Sequence, residues 1–318
     1  MLILPPNASA FWPSRAMPTG SWTPMMFPVP WKVYRSRIGK NKREFTELRR
    51  RTGVMSYEDS VAEHYGRGNA EQLILAHLSA LGKDPEHFDI ADLQGMDQLH
   101  VGGAEATSRV ATRAGINAGN HVLDIGSGLG GVARHLAQHF GASVHGVELT
   151  PEFVAAATSL TRRTGLSSAV AFTQGSALAM PFEENSFDAA VLFHVGMNVQ
   201  DKDQVFAEAA RVLRPGSVMA VYDVMLMGGD VEEYPLPWAT SAETSFLQPP
   251  LAYSDALGQA GFSVDYEAKV PVSDSVAFLE RALSGSGPAG VQAAQLNNLM
   301  MFFRSGLLAP VEIYAHLD

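Results

Sequence analysis

Between His121 and Asp223 the spacing of apolar positions changes repeatedly, and each change marks an element. His121–Ile125 is a short apolar run that predicts a strand, and Leu129–His139 returns to helical spacing. Ser143–Glu148 predicts a second strand, followed by a helix over Pro151–Thr164 with proline in its first turn. Ala169–Thr173 and Phe187–His194 read as the third and fourth strands. Gln204–Leu213 reads as a helix stopped by Arg214-Pro215-Gly216, and Ser217–Asp223 as a fifth strand. Alternation of this kind implies right-handed crossovers and a mostly parallel sheet with helices on both faces. Such a sheet takes ligands at the carboxyl ends of its strands, where the strand order reverses.

The flanks follow other patterns. Upstream, Val61, Tyr65, Leu73, Leu75, Leu78 and Leu81 predict a helical region ended by Gly82. A glycine-containing loop over Asp97–Gly103 and a helix over Ala104–Ala114 follow. Downstream, 224–249 carries Pro235, Pro237 and Pro249 and reads as a loop-rich insertion. Helices are predicted over Leu251–Ala260, Ser273–Leu283 and Val291–Phe303, and further strands over Phe262–Val270 and Val311–His316. The first 54 residues show no apolar period: prolines crowd 5–30, and basic residues run from Lys32 to Arg51. They read as an irregular basic extension outside the functional fold, with Met55 a candidate start; an organellar transit peptide, a membrane-surface patch and a nucleic-acid arm are the alternatives. The organisation expected is therefore 1–54 as extension, 55–116 as a helical lid and 117–318 as the main domain. That domain would carry a substrate cap at about 224–249 and a helical insertion at about 273–305.

Charge sharpens this division. Residues 1–54 hold 10 Lys and Arg against 2 acids; the remainder holds 13 against 31, a balance of −18. An acidic body is a poor surface for nucleic acid, whose binding depends on neutralised phosphates. The absence of cysteine excludes disulfides, thiol catalysis and cysteine-held metals. No apolar run reaches the ~18 residues of a membrane span, and a cytoplasmic location is expected, with organellar targeting by residues 1–50 the alternative.

Chemistry concentrates where the first strand meets its helix, at Val122-Leu123-Asp124-Ile125-Gly126-Ser127-Gly128-Leu129-Gly130-Gly131. Glycines there let a ligand lie close to the backbone. Glu148 ends the next strand, where a carboxylate accepts hydrogen bonds from both hydroxyls of a ribose. The two features describe an adenosine site. The glycines alone leave the cofactor open, since Gly126, Gly128 and Gly131 satisfy the dinucleotide pattern and Gly126, Gly128 and Gly130 satisfy another. Asp124 sits badly beside a pyrophosphate and suits a cationic group.

On these residues the chain resembles the class I S-adenosylmethionine-dependent methyltransferases, in the small-molecule branch of the sarcosine/dimethylglycine type. The likeness covers 55–270 and includes Asp97–Gly103, Gly175-Ser176-Ala177, Pro181-Phe182, Ser186-Phe187-Asp188 and Arg211–Gly216. It implies a Rossmann-like, seven-stranded α/β fold with S-adenosylmethionine as cofactor. It further implies that Asp124, Gly126, Ser127, Gly128 and Gly130 wrap the methionine moiety and that Glu148 binds the ribose. Leu149 would pack on the adenine, with Ser176 and Ala177 at its edge. The family commonly has Asp at the position of Ser176, so the adenine contact departs from the pattern.

Phe193 and His194 would face the sulfonium and the acceptor, with His100 and Tyr65 closing over the cofactor. His194 reads either as a general base or as a packed strand-end residue, and His100 either as a contact or as a helix cap. His135 and His139 have ligand spacing on one helix face, but a solvated face is the expectation and no metal site is expected. Asp223 reads as a substrate contact or a turn residue, Trp238 and Phe246 as pocket lining, and the methionines as core filler. The expected activity is methyl transfer to an N, O or C nucleophile of a small molecule, with amines and glycine derivatives the preferred acceptors. An NAD-dependent oxidoreductase and a non-catalytic cofactor-binding module are the alternatives. The oligomeric state stays open.

Overall fold

The computed structural model describes residues 57–66, 69–93, 96–284 and 291–318. The proposed extension 1–54 lies outside the described residues, as does the middle of the proposed helical insertion, 285–290.

Seven strands form one sheet in the order β3-β2-β1-β4-β5-β7-β6. They are β1 (His121–Ile125), β2 (Ser143–Glu148), β3 (Val170–Gln174), β4 (Phe187–Phe193), β5 (Leu213–Leu226), β6 (Phe262–Lys269) and β7 (Leu308–Leu317). Strands β1 to β5 pair in parallel, while β7 runs antiparallel to both β5 and β6. The order reverses between β1 and β4, so the crevice opens above their carboxyl ends. Nearly every position of β1 and β4 is buried, as strands covered on both faces require.

Nine helices accompany the sheet among the described residues: α1 (Tyr57–Gly66), α2 (Ala70–Ala80), α3 (Gly103–Arg113), α4 (Gly131–Phe140), α5 (Pro151–Arg163), α6 (Lys202–Val212), α7 (Pro250–Gln259), α8 (Val272–Ser284) and α9 (Ala293–Ser305). One side of the sheet packs Leu123, Ile125, Leu192 and Val221 against Phe206 of α6 and Tyr253 of α7. The other packs Val122, Val144 and Val191 against Val110 of α3 and Leu136 of α4. A third cluster joins Leu279 of α8 and Phe303 of α9 to Trp238 of the segment after β5, and sits beside the strand ends that form the crevice.

Several boundaries move for identifiable reasons. The single helical region expected over 61–81 divides into α1, which ends at Gly66, and α2, which starts at Ala70. In α2 the buried stripe is Ala70, Ile74 and Leu78, while Leu73 and Leu81 point outward. Strand β5 starts at Leu213 rather than Ser217: Leu213 already pairs with Phe187, and pairing resumes at Ala189 with Val218 past the bulged Arg214-Pro215-Gly216. The solvated face expected for His135 is wrong, since His135 is buried with its Nε2 2.7 Å from Ser108 Oγ.

A buried guanidinium joins the parts. Arg134 of α4 is fully enclosed; it donates to Leu129 O at 2.7 Å, Asp97 Oδ2 at 2.8 Å and Thr161 Oγ1 at 3.0 Å. Removing one partner of a buried pair strands a charge, so Asp97→Ala should lower the unfolding free energy by about 3–5 kcal/mol. Urea denaturation checks this, and a loss below about 1 kcal/mol would place the pair among weak surface contacts.

Candidate active site

The crevice is a continuous cavity of about 600 Å³ that runs from the β3 loop, over the ends of β2, β1 and β4, to the insertion after β5. Its floor is the turn between β1 and α4. Gly126 has φ +72°, and a Cβ there would lie 2.4 Å from Val195 Cγ2. Gly128 has φ +51° and faces open space, with Leu99 Cδ1 nearest at 3.7 Å. Close approach at Gly126 is therefore demanded by the loop after β4, and only Gly128 opens to a ligand. Ser127 turns its hydroxyl away, toward Gly146 of β2, where it is buried without a partner.

Glu148 fixes the middle of the cleft. Its Oε2 accepts from Gly128 N at 2.9 Å and its Oε1 from Thr150 N at 2.8 Å, and each oxygen keeps a further lone pair. Burial raises its carboxyl above the usual range. Asp124 is buried in β1, with Oδ2 lacking any partner and its carboxyl pushed up to about 7 by burial and then by the charge of Glu148. Asp97, Asp124, Glu148 and Glu58 all line the cavity, and no described lining residue is Lys or Arg. A ligand carrying positive charge and no phosphate fits this set; two phosphates do not.

Of the residues expected to hold the cofactor or do chemistry, all but Gly130 line this cavity; a Cβ at Gly130 would lie 2.5 Å from Phe172 Cζ, so packing demands glycine there. Leu149 is half-buried beside Glu148, and Ser176 and Ala177 line the β3 end. The Ser176 hydroxyl donates to Glu58 of α1 and accepts from Leu178 N. Tyr65, also on α1, donates to Asn198 Oδ1 at 3.3 Å. Phe193 and His194 end β4 and line the cavity together. His194 holds φ at +53°, a strained value for a residue with a Cβ, while its N–H bonds Tyr222 O at 2.8 Å. Burial and then the neighbouring His100 hold the His194 ring well below the usual imidazole range, and its Nε2 is enclosed without a partner. His100 is pushed down to about 4 by burial, and both its ring nitrogens are engaged, Nδ1 with Val101 O and Nε2 with Gln98 Oε1.

Two expected contacts fall elsewhere. Asp223 is fully buried, accepting from the Tyr253 hydroxyl at 2.8 Å, and is absent from the lining. Phe246 packs edge-on against Tyr57 instead of facing the cavity. Trp238 does line it, together with Pro237, Met197, Leu279, Leu296 and Leu299. Sequence reading missed Glu58 and Asn198, which reach the cavity from segments with no glycine motif to mark them, and took Asp97 only as part of the Asp97–Gly103 tract.

Residues 123–221 match the family described as "Methyltransferase domain". Among curated relatives, Methyltransferase GfsG of Streptomyces halstedii is 31% identical over 174 residues, covering 54% of this chain and 60% of that one. Sterol 24-C-methyltransferase ERG6B of Gibberella zeae is 36% identical over 117 residues, covering 37% and 31%. The chain thus spans less than two thirds of the length of these relatives. Two solved structures share the fold: geranyl diphosphate C-methyltransferase of Streptomyces coelicolor, with TM-score 0.63, 16% identity, and 83% and 99% coverage, and a putative sarcosine dimethylglycine methyltransferase of Galdieria sulphuraria, with TM-score 0.55, 21% identity, and 67% and 84% coverage. Over residues 123–221 the chain is similar to methyltransferase domains, and its sheet has the fold those solved structures share.

Because Gly126 meets Val195, Gly126→Ala should cost about 2–4 kcal/mol, combining overpacking with backbone strain. Adding Val195→Ala should recover the overpacking share. Thermal unfolding of both variants checks this, and an unchanged melting point for Gly126→Ala would contradict the packing.

Proposed function

We propose that the chain is a methyltransferase whose acceptor is a small, uncharged and largely apolar molecule. The observation that carries this is the division of one cavity into two chemistries. The half over β2 and β1 holds carboxylates with no Lys or Arg among the described lining residues, while the half over the insertion is built from Trp238, Pro237, Leu279, Leu296 and Leu299. S-adenosylmethionine supplies a methyl group on a sulfonium when bound, an electrophile that needs alignment more than acid–base help. Glu148 holds the ribose, Gly128 gives the ligand room at the backbone, and Asp124 faces the cationic amino-acid end. A nicotinamide dinucleotide would bring two phosphates onto the same carboxylates. His194 stands at the boundary of the two halves, where burial keeps its ring uncharged.

An apolar acceptor is favoured over a glycine derivative, because a free carboxylate in the acceptor half would find no lining cation among the described residues. The sterol enzyme among the relatives supports this reading. Residues 57–66 act as the lid and the segment after β5 as the substrate cap.

Methyl transfer from labelled S-adenosylmethionine should be detected with members of a panel of sterols, phenols and prenylated quinone precursors, and not with glycine or sarcosine. Transfer confined to the amino acids, or to none of the panel despite tight cofactor binding, would overturn the reading.

Cofactor affinity should also follow Asp124. With its carboxyl at about 7 in the free protein, a cationic ligand must displace a proton below that pH. Affinity should therefore fall as pH drops from 7 to 5, by up to about tenfold per unit. Calorimetry in buffers of different ionisation enthalpy checks the proton release, and Asp124→Asn should flatten the dependence.

A further inference from the structure

We propose that Glu58, on the N-terminal helix α1, is the residue that recognises the exocyclic amine of the cofactor's adenine, with Ser176 holding it in place. The inference rests on the reading of the cleft as an S-adenosylmethionine site and adds the source of its base specificity.

The order of groups along the cavity fixes where the base lies. The apolar chamber for the acceptor stands at the insertion, beyond the end of β4. The reactive end of the cofactor must face that chamber, and Glu148 in the middle takes the ribose. The base then occupies the opposite end, over the loop after β3 and beneath α1. Glu58 and Ser176 line the cavity and meet each other there.

These two are bonded to each other. The Ser176 hydroxyl spends its single proton on Glu58, and one lone pair takes Leu178 N–H at 3.0 Å. Ser176 therefore acts as a bracket for the carboxylate. A carboxylate only accepts, so it selects an amino group and repels a carbonyl oxygen at the same position. The turn over 175–178 that lines this end carries no charge of its own; the charge comes from α1, a helix with no fully buried residue. That helix is held over the cleft by Tyr57 against Phe246, by His64 on Pro237 O at 3.1 Å and by Tyr65 on Asn198. Base recognition and closure of α1 are thereby one event.

The test compares S-adenosylhomocysteine with S-inosylhomocysteine, in which an oxo group replaces the amine, by calorimetry on the full chain. Wild type should prefer the adenosine compound by at least about tenfold, the discrimination a site gains from one buried polar contact. Glu58→Ala should weaken the adenosine compound and strengthen the inosine compound, bringing the ratio close to one. Glu58→Gln, which conserves shape, should give an intermediate ratio, and Ser176→Asp added to Glu58→Ala should restore preference. A purely structural role for α1 would weaken both ligands in parallel, and that result, or an unchanged ratio in both Glu58 variants, overturns the proposal while leaving the cofactor reading intact. Failure of wild type to bind S-adenosylhomocysteine at all overturns the cofactor reading and this inference with it.

Discussion

The cleft depends on one enclosed cation. Arg134 lies beneath the β1–α4 turn and joins the turn itself, through Leu129 O, to Asp97 of the preceding segment and to Thr161 of α5. These pieces are far apart in sequence, and the apolar cluster of Met96, Leu129 and Leu160 packs the same segments together. A guanidinium suits the task because its planar fork donates in several directions at once and keeps its charge when buried. Gly131 allows the join, since a Cβ there would lie 2.5 Å from Asp97 O. The pair's value lies in specifying one geometry for the floor of the crevice, which a well-packed apolar substitute would not do.

Around that floor the charges facing the ligand are of one sign. Asp124, Glu148 and Glu58 approach the cavity from β1, β2 and α1, and burial makes the negative charges of Asp124 and Glu148 costly to hold. Such an arrangement is relieved by a cationic ligand. The strained His194 backbone belongs with it, since strain held by surrounding structure collects at sites where a side chain must point one way.

Much of this was legible in the chain, for physical reasons. Strands β1 and β2 start and stop where the apolar runs do, because both are buried on two faces and bounded by glycine or proline turns. Gly126, Gly128 and Glu148 were legible because backbone approach and ribose recognition restrict residue type. The chamber was less legible. Trp238 was found, but Phe246 was not separable from it by composition, since both are aromatic residues in one irregular segment. Glu58 escaped notice because a lone acid on an amphipathic helix looks like any solvated side chain, and Asp97 was read only as part of its tract, with no sign of its buried partner Arg134. Only tertiary packing turns them inward. Asp223 shows the converse: its place at a strand end looked functional, yet Tyr253 and Val224 enclose it.

The central claim is that carboxylates over β1 and β2 receive a phosphate-free adenosine cofactor whose reactive end points to the chamber after β4. A crystal structure grown with S-adenosylhomocysteine tests it most directly. The account predicts both ribose hydroxyls on Glu148 and the amino-acid nitrogen within hydrogen-bond reach of Asp124, with the sulfur facing His194 and Trp238. A ribose away from Glu148, or an adenine seated in the chamber beside Trp238, would contradict it.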